Sequence, residues 1–596
     1  MAALFTTPKR NDKTSGAHFV EPDVRRRTLL AHGSWRRVTR RIVCSLACAL
    51  TVSSLLMPSI SLAAEWVDVG GVRHEAAAGP TGDAAGTWSW NGADDMKLNG
   101  YNGGAITAAG KLNIAYEGTN TVETEPDYTG AAIKAKDGTN QKAELNITSS
   151  NSTDELNVTA EADAIKSTGD LSISGPGTVN TTSTTSDGIE AKGDLSITGS
   201  GTVNATGGTE GIQSKGKTTI DSSGTVLAKG GEGYGIAAGS DLIVKGGGKV
   251  EASSNEDVAI WADGNIDISG GSQVEASSQE DLAVDAEGSL TVTNASLNAS
   301  GVEYGAYGRK GITLDHATVT VRASTGGGWQ TIALITDEDD IVIKNGSIVD
   351  ALAEGGFSAA IASRNYNLGE SGGHIYISDS VVKAIARYVE SGSDGPDHYS
   401  NDQDGETIPE SQGLNIGIFA QTEEGITPAT ISIVRSKVTA EGDTAAIFAL
   451  AMSADGEAIG TIEIKDAIIQ TPAGGKVIDY RNKEELSDGI VYEAGQTIGT
   501  GDATIDSPYD QSVAKNVVIA PPEETKPEEK PGETKPESPK SEGTKTTKTV
   551  ATVATGIKTT GKLAATGDTS SAAIVAAALA GTAAIAASII TSRKRS

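Results

Sequence analysis

A short pattern recurs along the middle of the chain and constrains the fold more than any other feature. The stretch from Gly188 to Ala205 reads GIEAKGDLSITGSGTVNA, and similar stretches precede and follow it. Its first apolar residue, Ile189, lies 24 residues after Ile165 and 23 residues before Ile212. Short β-type runs separated by glycine corners, repeated at such a period, are typical of a solenoid.

Three apolar positions recur in the copies of this pattern. The first position is held by Ile165, Ile189, Ile212, Ile236, Ile260, Val284 and Ala306. The second is held by Leu171, Leu195, Thr218, Leu242, Ile266, Leu290 and Ile312. The third is held by Val179, Val203, Val226, Val250, Val274, Leu297 and Val319. Apolar and polar residues alternate within each run, which puts the apolar side chains on one side of a strand.

One copy alone cannot bury its apolar side, whereas stacked copies can. We therefore predict an all-β fold, a right-handed parallel β-helix of about 12 rungs of about 24 residues each. The predicted helix covers residues 106–520, and the 73 glycines of the chain suit its tight corners. An α-helical interpretation fails because Gly, Ser, Thr and Asn stand where a helix needs strong helix formers.

The charge and the cysteines exclude several kinds of site. The formal net charge of −30 argues against nucleic acid as a partner, because such binding relies on Lys and Arg that neutralise phosphates. Both cysteines, Cys44 and Cys48, lie in an apolar run near the N-terminus. Removal of that run would leave no disulfide, no thiol nucleophile and no cysteine-based metal site.

The N-terminal region predicts secretion. Residues 1–64 are interpreted as a signal peptide, in which basic residues up to Arg41 precede the apolar run Ile42–Met57. Small residues around Ala63 offer a cleavage site. An N-terminal membrane anchor is the alternative.

Residues 65–105 contain Trp66, Trp88 and Trp90 and are predicted to form a cap over the first rung, because an uncovered rung would leave an open sheet edge. A sugar-stacking module is the other interpretation of this tryptophan-containing segment.

The C-terminal region predicts a stalk and an anchor. Residues 521–562 are rich in Pro, Glu, Lys and Thr, a composition that stays extended and disordered. Residues 563–596 begin with the motif Leu563, Ala564, Ala565, Thr566 and Gly567. An apolar span over 571–590 follows, long enough for a transmembrane helix, and then a basic tail.

This order resembles the sorting signal of sortase-anchored Gram-positive surface proteins, with Ala564 in place of the proline of LPxTG. The resemblance implies a class E-type sortase as partner, cleavage between Thr566 and Gly567, and an amide bond from Thr566 to the cell-wall precursor. The protein would be secreted and anchored to the cell wall, touching the membrane only through its C-terminal helix. An ordinary C-terminal membrane anchor is the alternative.

The repeat over Ala162 to Ala323 resembles a family of secreted carbohydrate-binding β-helices related in fold to pectate lyases. The resemblance implies acidic-polysaccharide or cellulose-type ligands and bound calcium. The residue after the first apolar position points outward, and in three successive rungs it is Trp261, Asp285 and Tyr307. Trp261 and Tyr307 lie two rungs apart, roughly 10 Å. With Tyr234 and Tyr304 near the same corner, they form a hypothetical glycan-binding strip in which Asp285 accepts sugar hydroxyls. Packing over the rungs would explain the same rings.

Calcium sites are a second hypothesis. Asp170, Asp194 and Asp241 share one corner of successive rungs, in a column interrupted by Lys217. Oxygen ligands stacked in this way suit Ca²⁺, although aspartate also caps turns with its own side chain. Asp402 and Asp404 lie in a long polar insertion and resemble part of a calcium loop.

The sequence leaves three functions open. The first is a surface adhesin or carbohydrate-binding protein that presents the solenoid to polysaccharides or host glycans. The second is a polysaccharide lyase, for which Arg309, Lys310 and Arg322 would be the basic residues near the aromatic strip. The third is a spacer that displays its N-terminal module. The six histidines show no metal or triad spacing, so we assign no catalytic residue.

Overall fold

The computed structural model describes residues 63–139, 141–324, 330–365, 372–389, 415–422, 429–452, 460–481, 486–492 and 513–522. The chain divides into two compact units, Met1–Glu524 and Thr525–Ser596, and every described residue belongs to the first. The described residues are almost entirely strands and turns, with one short 3-10 helix at Ala76–Ala78. The strands form three long sheets, here called A, B and C.

Sheet A has 16 strands in this spatial order: Thr81–Gly82, Trp88–Trp90, Asp95–Asn99, Lys111–Glu117, Glu144–Ser149, Asp170–Ser174, Leu195–Gly199, Thr218–Ser222, Leu242–Lys245, Ile266–Ser269, Leu290–Thr293, Ile312–Asp315, Ile341–Lys344, Ile375–Ser378, Thr430–Val434 and Thr461–Lys465. Sheet B runs through Val72–Glu75, Trp66–Val69, Ile106–Ala109, Ile133–Lys136, Ile165–Ser167, Ile189–Ala191, Ile212–Ser214, Ile236–Ala238, Ile260–Ala262, Val284–Ala286, Tyr304–Gly308, Thr331–Thr336, Ser358–Asn365, Asn415–Thr422, Ala445–Met452, Leu486–Tyr492 and Lys476–Arg481. Sheet C has 15 strands: Asn102–Gly103, Thr119–Glu123, Glu155–Ala160, Thr178–Ser183, Thr202–Thr206, Thr225–Gly230, Lys249–Ser254, Gln273–Ser278, Ser296–Gly301, Thr318–Ser324, Ile348–Gly355, Val381–Tyr388, Lys437–Gly442, Asn516–Ala520 and Ile468–Thr471.

Between its two ends the chain visits the three sheets in turn, and each strand there pairs in parallel with the strand one coil later. This arrangement is consistent with a parallel β-helix. The predicted register is confirmed at all three apolar positions. Ile189 pairs with Ile165 and Ile212 in sheet B, Leu195 pairs with Leu171 and Thr218 in sheet A, and Val203 pairs with Val179 and Val226 in sheet C.

The inward residues of the three sheets form one continuous apolar core. Ile212, Leu242 and Val226 are almost completely buried, and the core runs from Ala64 to Ile519. Burying one such side chain contributes roughly 1.5–3 kcal/mol. Each sheet therefore lies on the core because its alternating pattern gives it one apolar side.

Strand direction reverses at both ends of the solenoid. At the N-terminal end, Trp66–Val69 pairs antiparallel with Val72–Glu75 and with Ile106–Ala109. At the C-terminal end, Asn516–Ala520 pairs antiparallel with Lys437–Gly442. The prediction of parallel rungs up to residue 520 is therefore wrong for the last strands. An antiparallel end strand occupies hydrogen-bonding groups that the last parallel strand would leave open.

The tryptophans of the N-terminal end have different environments. Trp88 and Trp90 lie on the same side of one strand, at 9% and 1% exposure, within the core. They cover the apolar interior, so their rings are not available to stack on a sugar. Trp66 is only partly buried on the outer face of sheet B.

The later strands of sheet B are buried on both faces. Every residue of Thr331–Thr336, Ser358–Asn365 and Asn415–Thr422 is buried. Their outward residues form a second apolar cluster that includes Phe419 and Phe448. These sequences lose the strict alternation of the earlier rungs, as a strand covered on both sides does.

Several predicted features lie outside the described residues. These are residues 1–62 of the signal peptide, the stalk beyond residue 522, the Leu563–Gly567 motif, the apolar span 571–590, and Asp402 and Asp404. Among the helices of the described part, none is long and apolar enough to cross a membrane.

Leu242 and Ile243 test the register, because they are neighbours on one strand that face opposite ways. Leu242 is buried in the core and Ile243 is partly exposed. We expect Leu242→Ala to lower the free energy of unfolding by about 2–5 kcal/mol and Ile243→Ala to lower it by under ~1 kcal/mol. Urea unfolding followed by circular dichroism measures both. Equal losses, or a larger loss at Ile243, would contradict the register.

Candidate functional site

One row of outward side chains runs along sheet B, and we call it the outer column. Trp261 belongs to it because its neighbours Ile260 and Ala262 are both buried in the core. The strand pairings place these residues side by side along the outer column: Lys134, Lys166, Glu190, Gln213, Ala237, Trp261, Asp285, Tyr307 and Ile335. Adjacent members lie one coil apart, about 4.8 Å.

Trp261 and Tyr234 form a stacked aromatic pair on this face. Their ring centroids are 5.4 Å apart and their planes are inclined by 20°. Both side chains are partly buried. Contact with Tyr234 restricts the Trp261 ring, so a ligand that stacks there would cost little further ordering of the side chain.

Asp285 lies between Trp261 and Tyr307 in the outer column, but its exposure is 0%. The strip was predicted with Asp285 as an accessible acceptor for sugar hydroxyls. In this structure the carboxyl group has no surface that a hydroxyl could reach. The repeat pattern does not predict this burial, because the position of a residue in a column determines the direction of its side chain and not how deeply it is buried.

Tyr304 and Tyr307 form a second aromatic pair, with centroids 6.0 Å apart. The Tyr304 hydroxyl donates to Gln330 at 3.1 Å and the Tyr307 hydroxyl donates to Asp337 at 3.2 Å. Arg364 donates to both acceptors, at 3.0 Å each. Burial, and then the charge of Asp337, raises the pKa of the Tyr307 hydroxyl. Both rings are thus fixed by a polar network on the next coils, which the regular repeat did not reveal.

Of the basic residues considered for a lyase, Arg309 follows a strand of sheet B and Arg322 lies on sheet C. Arg309 makes ion pairs with Glu287 at 3.1 Å and Glu338 at 2.6 Å. Burial opposes its charge, but these two carboxylates raise the pKa of Arg309, the opposite of what a general base needs. Arg322 lies on a strand of sheet C and pairs with Asp350. Its predicted position on the aromatic side of the solenoid is therefore wrong, because the third run of each rung belongs to a different sheet.

The corner aspartates cap the backbone of the following coil. Asp170 accepts a hydrogen bond from the Asp194 N–H, and Asp194 accepts one from the Lys217 N–H, both at 2.9 Å. Asp241 accepts from the Asn265 N–H at 2.9 Å. Each carboxylate thus satisfies a backbone donor of the next coil, a structural role that involves no metal.

Glycine precedes the cap position because the carboxylate comes so close. A Cβ on Gly193 would lie 2.1 Å from Asp170 Oδ1, and a Cβ on Gly216 would lie 2.2 Å from Asp194 Oδ1. The Gly-Asp pair of the repeat therefore has one combined role. The aspartate carboxylate extends to the following coil, and the glycine of that coil leaves room for it.

A second group of carboxylates was missed at the sequence level. Asp163, Asp187 and Glu190 are buried, with ligand oxygens within 4.8 Å of one another. Lys166 pairs with Asp163 at 2.6 Å and also with Glu190, and Lys192 pairs with Glu190. Two ammonium groups therefore already neutralise this cluster. The sequence signal for this cluster was Asp163 three residues before Lys166, which lies in the outer column beside Glu190.

Asp187 has a strongly perturbed titration. Burial, and then the hydrogen bond and charge of Glu210, raise the pKa of Asp187 to about 8. Thr209 donates to its Oδ1 at 2.5 Å. The carboxyl group is thus largely protonated at neutral pH, and the two lysines pair with the other two members of the cluster, Asp163 and Glu190.

Comparison with known proteins gives one match. A family model described as a carbohydrate-binding domain-containing protein matches residues 101–247, about a quarter of the chain. This range includes Tyr234 but not Trp261 or Tyr307. No curated protein and no solved structure matches the chain.

Asp194 tests whether the corner column is a cap or a calcium site. Asp194→Ala removes the acceptor of the Lys217 N–H, and we expect it to lower the free energy of unfolding by about 0.5–1.5 kcal/mol. Asp194→Asn keeps an acceptor oxygen, as Asn265 does in its own coil, and should cost much less. Thermal melts with calcium and with EDTA should coincide for the wild-type chain. A calcium-dependent shift that Asp194→Asn abolishes would assign a metal to the column.

Asp187 provides a pH-dependent prediction. Its folded-state pKa of about 8 exceeds the unfolded value of about 4. The unfolded chain therefore loses this proton first, and the contribution of Asp187 to stability declines as the pH rises between these values. Asp187→Asn should raise the free energy of unfolding at pH 8 by at least roughly 1 kcal/mol and give no gain at pH 4.

Urea unfolding at the two pH values measures this effect. Asp221→Asn is the matched control, since Asp221 is exposed on sheet A. An equal gain for Asp187→Asn at both pH values would contradict the burial of a protonated carboxyl group.

Proposed function

We propose that this chain is a carbohydrate-binding protein displayed on the cell wall of a Gram-positive bacterium. The observation that carries the proposal is the match of residues 101–247 to a carbohydrate-binding domain family. The matched residues form the early coils of the solenoid, whose outer column includes Lys166, Glu190 and Gln213. An adhesin role follows from the display of this surface outside the cell.

The aromatic pairs of sheet B supply a suitable stacking surface. The stacked Tyr234 and Trp261 rings lie ahead of the Tyr304 and Tyr307 pair along the outer column. Apolar C–H faces of pyranose rings pack against aromatic rings, and two coils span about 9.6 Å. A chain of sugars laid along the solenoid axis would contact Trp261 first, since the Tyr304 and Tyr307 hydroxyls are already engaged.

Wall attachment rests on the sequence between Leu563 and Ser596. A sortase would cleave after Thr566 and join it to the cell-wall precursor, while the apolar span 571–590 holds the chain in the membrane until cleavage. The Pro-rich residues 521–562 would then separate the solenoid from the wall.

A glycan array tests the proposal with the full-length chain purified in detergent. We expect the wild-type chain to bind a subset of glycans, and Trp261→Ala to weaken that binding by about five- to tenfold. Tyr376→Ala is the matched control, because Tyr376 is an exposed aromatic residue on sheet A. A wild-type chain that binds no glycan would refute the function. If Trp261→Ala binds glycans as well as the wild-type chain, the aromatic strip is not the binding site.

A further inference from the structure

A cavity of about 490 Å³ opens on the outer face of sheet B at its N-terminal end. This volume falls within the ~300–1,000 Å³ that small-molecule sites usually occupy. Six side chains with distinct chemistry line it: Trp66, Asp68, Thr107, Thr124, Glu125 and Tyr128. The cavity lies several coils from the Tyr234 and Trp261 pair and shares no residue with it.

The antiparallel end of the solenoid creates one wall of this cavity. Val67 and Val69 are buried in the core, so Trp66 and Asp68 point outward from the same strand. Asp68 pairs in register with Thr107 on the neighbouring strand. The wall therefore combines an indole, a carboxylate and a hydroxyl group at fixed spacing.

The Trp66 ring is held by cations from both sides of its strand. Arg73 Cζ lies 4.1 Å and Lys136 Nζ lies 4.8 Å from the ring centroid. Arg73 is on the adjacent strand Val72–Glu75, and Lys136 is on Ile133–Lys136 beyond the other neighbour. Cation–π contacts of this kind fix the ring without closing the cavity that it lines.

A turn forms the opposite wall. The Tyr128 N–H donates to the Glu125 carbonyl at 3.1 Å, and Asp127 adopts a positive φ of 71°. The Tyr128 ring lies against Gly130, where a Cβ would be 2.8 Å from the ring. The ring is thus placed by the turn while it remains 39% exposed.

The polar groups of the cavity are available. Within the part of the chain that the structure describes, the side chains of Asp68, Glu125 and Tyr128 form no hydrogen bond or ion pair. Two carboxylates accept hydrogen bonds from vicinal sugar hydroxyls well, and they repel a ligand that carries its own carboxylate. Arg73 and Lys136 contact the Trp66 ring but do not line the cavity, and Arg73 is paired with Glu75. The aromatic rings suit the apolar face of a pyranose.

We propose that this cavity binds the uncharged pyranose end of a glycan, with Asp68 and Glu125 accepting its hydroxyl groups and Trp66 and Tyr128 packing against its ring. The inference rests on the proposed carbohydrate-binding function and specifies a site and a ligand class for it. Gly104 to Tyr128 fall inside the matched residues 101–247, whereas Trp66 and Asp68 precede them. The N-terminal end of the solenoid would therefore contribute selectivity that the matched coils alone lack.

The test uses the full-length chain on an array of neutral and uronate-terminated glycans. We expect the wild-type chain to prefer neutral ends, and Glu125→Gln and Asp68→Asn each to weaken this binding by about tenfold. In both variants the preference for neutral over uronate-terminated glycans should be smaller than in the wild-type chain. Trp66→Ala should abolish binding at the cavity, and a melting curve shows whether it is folded. Glu117→Gln, a partly exposed acid on sheet A that pairs with Lys97, is the matched control.

The outcomes separate the two proposals. If the wild-type chain binds no glycan, the proposed function fails and the cavity with it. If it binds and Trp261→Ala abolishes binding while Glu125→Gln and Asp68→Asn leave it unchanged, the function stands and the cavity is not the site. A wild-type preference for uronate ends also overturns the cavity proposal, because two carboxylates would then have to face a third.

Discussion

Every coil of this protein depends on the coil before it, because an inward apolar side chain packs on its own counterpart one turn away. Parallel backbone hydrogen bonds keep these counterparts in line, as with Ile189 between Ile165 and Ile212. A single coil has no closed core and buries its apolar side only as part of a stack. Short strands with few aromatic residues therefore suffice, provided that the register never slips.

The same register organises the outer surface. Residues that the core does not need form straight columns, and each column repeats one position of the coil. The column of Asp170 and Asp194 has a structural role, because each carboxylate accepts a backbone hydrogen bond from the following coil. A column with large side chains becomes a possible contact surface, as with Trp261 and Tyr307. Opposite charges also pair between neighbouring coils of a column, since Lys166 in one coil forms an ion pair with Glu190 in the next.

Periodicity was sufficient to predict the inward residues, the three-sheet arrangement and the outward direction of Trp261. It could not predict how deeply an outward side chain is buried. Asp285 occupies an outward position of the repeat and is nevertheless fully buried. Nor could it predict contacts between segments that lie outside the repeat. The cavity brings Trp66 together with Tyr128, and the network around Tyr307 depends on Arg364. The antiparallel strand Asn516–Ala520 was missed because its short alternating run resembles that of a rung.

The fit of each corner aspartate beside a glycine of the following coil makes the junctions between coils nearly alike. A segment one repeat long can be duplicated or lost between two such junctions, and the joined ends then meet the same kind of partner as before. Such an event adds or removes one outward side chain in every column. Evolution can thus lengthen the exposed surface in steps of about 4.8 Å and vary its contacts, without redesigning the interior.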